Sequence, residues 1–388
     1  MNREEQLEPF RLRSLKSDQA QAPRPRPTLL CLSHLRWGFV YQRPQHLMSR
    51  LASGYEVLFF EEPIFEGDAA PRLESHRAVD GVTILVPRLP VGMRERQAIR
   101  AQRELLDACL AEREVAELLL WYFTPMSLAF TGHLLGQVVI FDCMDELSAF
   151  RHAPPALVDM ERRLMTRADV VFTVGHSLWE AKRRHHANIH AMPSSVDVAH
   201  FATARQSLPE PADQADIPRP RLGFFGVIDE RFDIHLISEL ADQRPDWQIV
   251  LVGPVVKIDP ASLPRLPNIH YLGGKSYSEL PFYLSGWNVA LMPFALNEST
   301  RFISPTKTPE YLAGGRPVVS TPIRDVVNGY GNSGVVSIAT TPQGFIDAIE
   351  TALELEPNRV AKLADKVLDG MSWDKTCAAI REKIECLR

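Results

Sequence analysis

Short apolar runs of four to six residues alternate along this chain with longer stretches in which apolar residues recur every three or four positions. Thr28–Leu32 is the first run, and Tyr55–Phe60, Val82–Val86, Glu117–Tyr122, Val138–Phe141 and Val170–Val174 repeat it. Runs of that length, rich in Val, Ile, Leu and Phe, predict buried strands. Pro44–Ala52, Arg94–Ala111 and Ala156–Arg167 lie between them and predict helices. Strands that alternate with helices imply a parallel sheet covered on both faces, because parallel strands need a crossover.

Ala204–Pro220 breaks the rhythm with prolines and acidic residues, as a linker does. The pattern then restarts with strands at Arg221–Phe225, Trp247–Val252, Ile269–Leu272 and Val289–Pro293, and helices at Phe232–Gln243 and Tyr277–Ser285. The predicted organisation is a disordered tail over 1–27, ending in Pro23-Arg24-Pro25-Arg26-Pro27, and a first α/β domain over 28–205. A linker over 206–220, a second α/β domain over 221–365 and a C-terminal helical segment over 366–388 follow. Two doubly wound domains facing a cleft are the expected fold.

Bulk properties narrow the function. The chain has 388 residues, 45% of them hydrophobic and 23% charged, with a net charge of -5. Its length favours two domains, and no basic tract interleaved with aromatics suggests a nucleic-acid partner. The five cysteines, Cys31, Cys109, Cys143, Cys377 and Cys386, form no Cys-x-x-Cys pair. A reducing compartment is expected from their scatter, without a disulfide framework or zinc site. No apolar run has the length of a membrane-spanning helix, and the polar N-terminus does not look like a signal peptide. The expected location is the cytoplasm.

Candidate chemistry concentrates in Phe302–Thr321, FISPTKTPEYLAGGRPVVST. Ser304, Pro305 and Thr306 form a polar loop leading into a helix that carries Lys307 and Glu310, and Gly314 and Gly315 end it. Free N–H groups at a helix start suit phosphate, with Lys307 as a point charge beside them. Glu310, one turn further at i, i+3, can accept hydrogen bonds from sugar hydroxyls. Cation, amides and carboxylate together predict a site for a nucleotide-linked sugar.

This segment resembles the donor-site signature of GT-B glycosyltransferases of the retaining "group 1", or family-4, type. The resemblance is carried by Pro305, Lys307, Glu310, Tyr311, Leu312, Ala313, Gly315, Pro317, Val318 and Val319. Pro193-Ser194-Ser195-Val196-Asp197 with Phe201, and Leu272-Gly273 followed by Glu279-Leu280 and Pro293-Phe294, extend it. It implies that Glu310 holds the ribose of the donor, that Lys307 and the preceding loop approach the diphosphate, and that the final helix crosses back to the first domain. Many members carry a second Glu where this chain has Phe302, so its sugar contacts must differ.

Transfer of a sugar from a nucleoside diphosphate builds negative charge on the leaving group and oxocarbenium character on the ring. Gly226 ends a strand where backbone can approach phosphate, and Arg231, five residues on, is the second candidate cation. A surface pairing of Arg231 with Glu230 or Asp233 is the alternative. With protein cations at the phosphates and no Asp-x-Asp ligands in view, neither metal nor cofactor is expected. Asp142, Asp145 and Glu146 follow a strand of the first domain at the edge facing the cleft. Asp145 is the leading catalytic candidate: general base if the enzyme inverts, orienting and charge-stabilising group if it retains. The alternative has Asp142 capping a helix and Asp145 facing solvent.

The first loop, His34 to His46, is rich in aromatic and polar residues and resembles a subset of bacterial polysaccharide glycosyltransferases. Trp37, Arg43, Gln45 and His46 are its candidate acceptor contacts. Arg96, Arg100 and Arg103 share a predicted helix face, and Lys182, Arg183 and Arg184 form a second basic cluster. Such faces suit peripheral contact with the anionic cytoplasmic face of an inner membrane. The expectation is a metal-independent glycosyltransferase moving a sugar from a nucleotide sugar to a carbohydrate or lipid-linked glycan. A sugar-nucleotide epimerase of the same fold and a non-catalytic nucleotide-sugar-binding protein are the alternatives.

Overall fold

The computed structural model describes residues 26–113 and 115–388. The tail expected over 1–27 lies outside the described residues except for Arg26 and Pro27. Two sheets organise the rest. The first comprises β1 (Thr28–Leu32), β2 (Glu56–Phe60), β3 (Ile64–Phe65), β4 (Arg72–Arg77), β5 (Thr83–Leu89), β6 (Leu118–Tyr122), β7 (Val138–Cys143), β8 (Val170–Thr173) and β9 (Ile189–Ala191). Its order is β3-β5-β2-β1-β6-β7-β8-β9, with β4 on β5. The second comprises β10 (Arg221–Phe225), β11 (Gln248–Val252), β12 (Ile269–Gly273), β13 (Val289–Met292), β14 (Val318–Ser320) and β15 (Val336–Ile338), in the order β12-β11-β10-β13-β14-β15.

The central strands are apolar on both faces because helices cover both. All five residues of β1 and of β10 are buried. Thr28 pairs in register with Glu56 on one side and Leu118 on the other, which puts β1 where the strand order reverses. β10 holds the same place in the second sheet, between β11 and β13. Ligands of open α/β sheets bind beyond the carboxyl ends of strands at such reversals, so both sheets direct their loops to a common cleft.

One strand departs from the parallel pattern. β4, RLESHR, runs antiparallel to β5, and its sequence hides it because it is an edge strand with little buried surface. Arg88 and Arg72 bind Glu74 and Glu66 across that edge, at 2.7 to 3.3 Å.

The segment read as a linker is built into the second domain instead. Ile217 of that segment belongs to the second domain's core, and so do Val196, Phe201 and Ala204 from the end of the range read as the first domain. Gln214 is fully buried, donating to the Tyr283 carbonyl at 3.0 Å and accepting from Trp287 Nε1 at 2.9 Å. Its few apolar anchors are masked in the sequence by the prolines and acids around them. At the other end, Ser372 caps the helix Trp373–Glu385, whose Trp373, Cys377, Ile380 and Ile384 enter the core of the first domain. Arg50 ties that helix to the first domain through Asp374 at 2.6 Å.

Candidate active site

The donor half is assembled at the end of β10. Tyr311, fully buried on the helix Lys307–Ala313, accepts from the Phe225 amide at 2.9 Å and donates to the Phe225 carbonyl at 3.2 Å. This pins the helix against the strand and fixes where Lys307 and Glu310 project. Gly226 follows with φ of 150°, and a Cβ there would lie 2.6 Å from Lys307 Cε. The lysine stem therefore passes over a residue without a side chain.

Gly226, Gly253, Tyr41, Tyr277, Lys307 and Glu310 line a cavity of about 380 Å³. Among the described residues neither Lys307 nor Glu310 has a side-chain hydrogen bond or ion pair within the chain. Burial pushes Glu310 up to about 7, with Lys307 pulling the other way. Burial likewise lowers Lys307, with Glu310 opposing that shift. A cation and a carboxylate left without internal partners can both be turned to a ligand.

Thr306 and Lys307 also line a second cavity of about 110 Å³, together with Ser304, Pro305, Arg231 and Asp145. Asp145 and Arg231 in turn line a chamber of about 530 Å³ between the domains. The three spaces share walls and run from Glu310 past Lys307 to Asp145. Burial pushes the Asp145 carboxyl up to about 6, opposed first by Arg231 and reinforced by Asp229. Among the described residues its carboxylate has no hydrogen-bonded partner. Arg231 pairs with neither Glu230 nor Asp233 but with Asp229, at 2.7 Å, and lies 5.2 Å from the Phe150 ring centre.

Other candidates take structural places. Asp142 is fully buried and receives Arg43 Nε at 3.0 Å on both oxygens, while Arg43 Nη1 donates to the Met192 carbonyl. Asp142 is the last but one residue of β7 and points into the domain, whereas Asp145 lies beyond the strand; Arg43 also lines the second cavity, and its Nη2 has no hydrogen-bond partner among the described residues. Glu146 binds Lys182 at 2.6 Å, and Lys182 also binds Glu161 at 2.5 Å. Lys182 thereby leaves the basic surface cluster for the interior. Along the other basic face, Arg100 and Arg103 pair with Glu104 and Asp107 of their own helix.

The first loop is likewise redistributed. Trp37 packs edge-on against Phe59, 5.0 Å between ring centres, and its amide binds Glu61. Gln45 bridges the Gln42 amide and the Trp37 carbonyl. His46 stacks on Trp373 at 4.4 Å, and burial pushes it down to about 3. These three side chains shape the loop, and Phe39 and Tyr41 line the cavities in their place. Phe302 packs against the first domain's core, so an apolar domain contact occupies the position of the missing Glu. Tyr277, Gly253 and Lys257 were not singled out from the sequence. A Gly ending the strand Trp247–Val252, as Gly226 ends its own, was the legible signal for Gly253; Lys257 had none.

Comparison with known proteins agrees with this geometry. Residues 219–355 match the family model "Glycosyl transferases group 1". The "Putative teichuronic acid biosynthesis glycosyltransferase TuaH" of Bacillus subtilis (strain 168) is 30% identical over 224 residues, 52% of this chain and 55% of that protein. The chain thus matches about half the length of that curated relative. Sucrose-phosphate synthase from Thermosynechococcus elongatus superposes with a TM-score of 0.71 at 16% identity, over 93% of this chain and 99% of the other. Anabaena HepE in complex with UDP and glucose gives 0.65 at 13%, over 92% and 99%. Residues 219–355 thus match the group 1 glycosyltransferase model, and the whole chain has the fold of these solved structures, two Rossmann-like domains in the GT-B arrangement.

Proposed function

We propose that the protein transfers a sugar from a nucleoside-diphosphate sugar to a carbohydrate or lipid-linked glycan acceptor, in the assembly of a bacterial polysaccharide. The observation that carries this reading is the continuous path from Glu310 past Lys307 to Asp145, with a cation in the middle and a carboxylate at each end that have no partner among the described residues. Glu310 takes the ribose hydroxyls. Lys307, passing over Gly226, meets the charge that grows on the departing diphosphate. Asp145 faces the reacting centre across the cleft, where a carboxylate stabilises oxocarbenium character or receives the acceptor proton. The charge on the leaving group is met by protein cations without a divalent ion, and the anomeric configuration is retained. HepE, whose structure contains UDP and glucose, and TuaH, named for teichuronic acid biosynthesis, support the donor and pathway classes respectively.

We infer a cytoplasmic location and peripheral contact with anionic lipid. Among the described residues no helix is long and apolar enough to cross a membrane. With Lys182 buried and Arg100 and Arg103 paired, that contact rests on Arg96, Arg183 and Arg184. Failure to pellet with anionic vesicles at low salt would remove it. The donor reading is tested by calorimetry with UDP, GDP, dTDP and ADP on the wild type and Glu310→Ala. Selective binding of one nucleotide, lost in the variant, is the expected result; binding of none would sink the reading.

A further inference from the structure

The chamber of about 530 Å³ beyond Asp145 has an uneven charge distribution. Its inner part holds Asp145 and the Asp229–Arg231 pair, while Glu62, Arg151, His152 and Lys257 line it from exposed positions of both domains. Glu230 meets Arg151 through the Arg151 amide, at 3.1 Å, leaving the guanidinium group unengaged. Among the described residues, neither that guanidinium nor Lys257 Nζ has an ion-pair or hydrogen-bond partner. Lys257 Nζ sits 5.4 Å from the Phe150 ring centre, and Arg231 lies 5.2 Å from the same ring. The charge of Lys257 is felt at His34, Glu62 and Asp145, all of which line the chamber.

Backbone geometry marks the same place. Among the described residues, the only non-glycine side chains at positive φ are His152, at 62°, and Lys257, at 61°. One belongs to each domain, and both line this chamber. A left-handed conformation is unfavourable for a non-glycine residue and concentrates at ligand sites.

We propose that this chamber holds an acceptor sugar bearing an anionic substituent, carboxylate or phosphate, with Lys257 and Arg151 as its counter-charges and Phe150 as the apolar surface between them. This rests on the glycosyltransferase reading and narrows it to acidic acceptors. A hydroxyl of the acceptor then reaches Asp145 while the anionic group stays near the mouth, so the charge selects the substrate without approaching the reacting carbon.

The test is binding of glucuronate, glucose 6-phosphate and glucose to the full chain, followed by ligand-observed NMR. Wild type is expected to bind at least one anionic sugar about tenfold or more tightly than glucose. Lys257→Asn, whose new residue suits a positive φ, should erase that preference, and Arg151→Gln should weaken it. Lys307→Gln should leave it intact, because Lys307 belongs to the donor cavity. Preference for the phosphate points to a phosphorylated or pyrophosphate-linked acceptor, and preference for the carboxylate to an acidic glycan. Equal binding of all three sugars overturns the proposal, as does a preference that survives Lys257→Asn and disappears with Lys307→Gln. Nucleotide calorimetry on the same preparations separates this outcome from failure of the donor site.

Discussion

Lys307 and Gly226 meet in the wall of the donor cavity: a Cβ on Gly226 would stand 2.6 Å from Lys307 Cε and 3.1 Å from the Phe224 ring. The cation reaches its position only because the strand ends in glycine at a φ of 150°. Gly226→Ala should therefore displace Lys307 while leaving the sheet formed. Nucleotide affinity is expected to fall by tenfold or more, with the far-ultraviolet circular dichroism unchanged. Wild-type affinity in the variant would separate the glycine from the lysine's placement.

Asp145 carries a stability signature along with its proposed chemistry. Its folded carboxyl stands near 6 against an ordinary value of 3.8, chiefly through burial. Between those values the folded state holds a proton that the unfolded state releases, so this group lowers stability as pH rises through the window and leaves a constant cost above it. Asp145→Asn should raise stability at pH 8 by about 1–3 kcal/mol, read by urea unfolding. Turnover should fall by about 10²–10⁴ with nucleotide binding preserved, and wild-type activity should decline as pH falls below about 6. A variant that is both less stable and fully active would contradict both parts.

The sequence was legible where burial imposes a pattern. β1 and β10 coincide with apolar runs opened by a single polar residue, Thr28 and Arg221, and Lys307 and Glu310 stand out because a helix start and an i, i+3 carboxylate are local features. Pairing at long range was not legible. Asp142 and Asp145 are three residues apart and chemically alike, yet Arg43, ninety-nine residues upstream of Asp142, claims one and leaves the other open. β4 escaped notice because its edge position gives it no apolar face to display.

Removing one partner of the Arg43–Asp142 pair should unmask its cost. Both side chains are at most 1% exposed, and an isolated buried charge is far more expensive than the pair. Asp142→Asn is expected to destabilise the protein by about 3–5 kcal/mol. Arg43→Met with Asp142→Leu should recover much of that loss. A double variant no more stable than Asp142→Asn would show that the pair holds the fold by more than charge compensation.

His46 stacks on Trp373, its ring planes 11° apart, and meets Tyr41 edge-on. Because burial keeps it neutral down to about pH 3, its role is that of an aromatic surface joining the first domain to the C-terminal helix. His46→Phe should preserve turnover within about threefold and shift Tm little, since the ring and its stacking partner remain. His46→Ala should lower Tm by several degrees. Loss of activity in His46→Phe with the fold intact would restore the histidine to the list of acceptor contacts.

The two domains are fastened beside the cleft by Asp325. One of its oxygens accepts from the Ser177 amide at 3.0 Å and from the Ser177 hydroxyl, at the start of the helix His176–Lys182. The other oxygen lies where a Cβ on Gly175 would stand, 2.0 Å away, and Ser304 crowds the same spot at 2.6 Å. Arg324 adds an ion pair to Glu180 at 2.6 Å. Ser304 also lines the cavity next to Lys307, so the fastening and the donor loop share a residue. A methyl group at Gly175 therefore cannot be accommodated without parting the domains, whereas Asp325→Asn removes charge and keeps the shape. Gly175→Ala should increase the radius of gyration in solution scattering and raise KM for the nucleotide sugar by tenfold or more, because Thr306 and Lys307 would be carried away from Asp145. Asp325→Asn should raise KM about threefold at unchanged radius. A Gly175→Ala protein with wild-type KM would mean that this fastening is independent of the closed cleft.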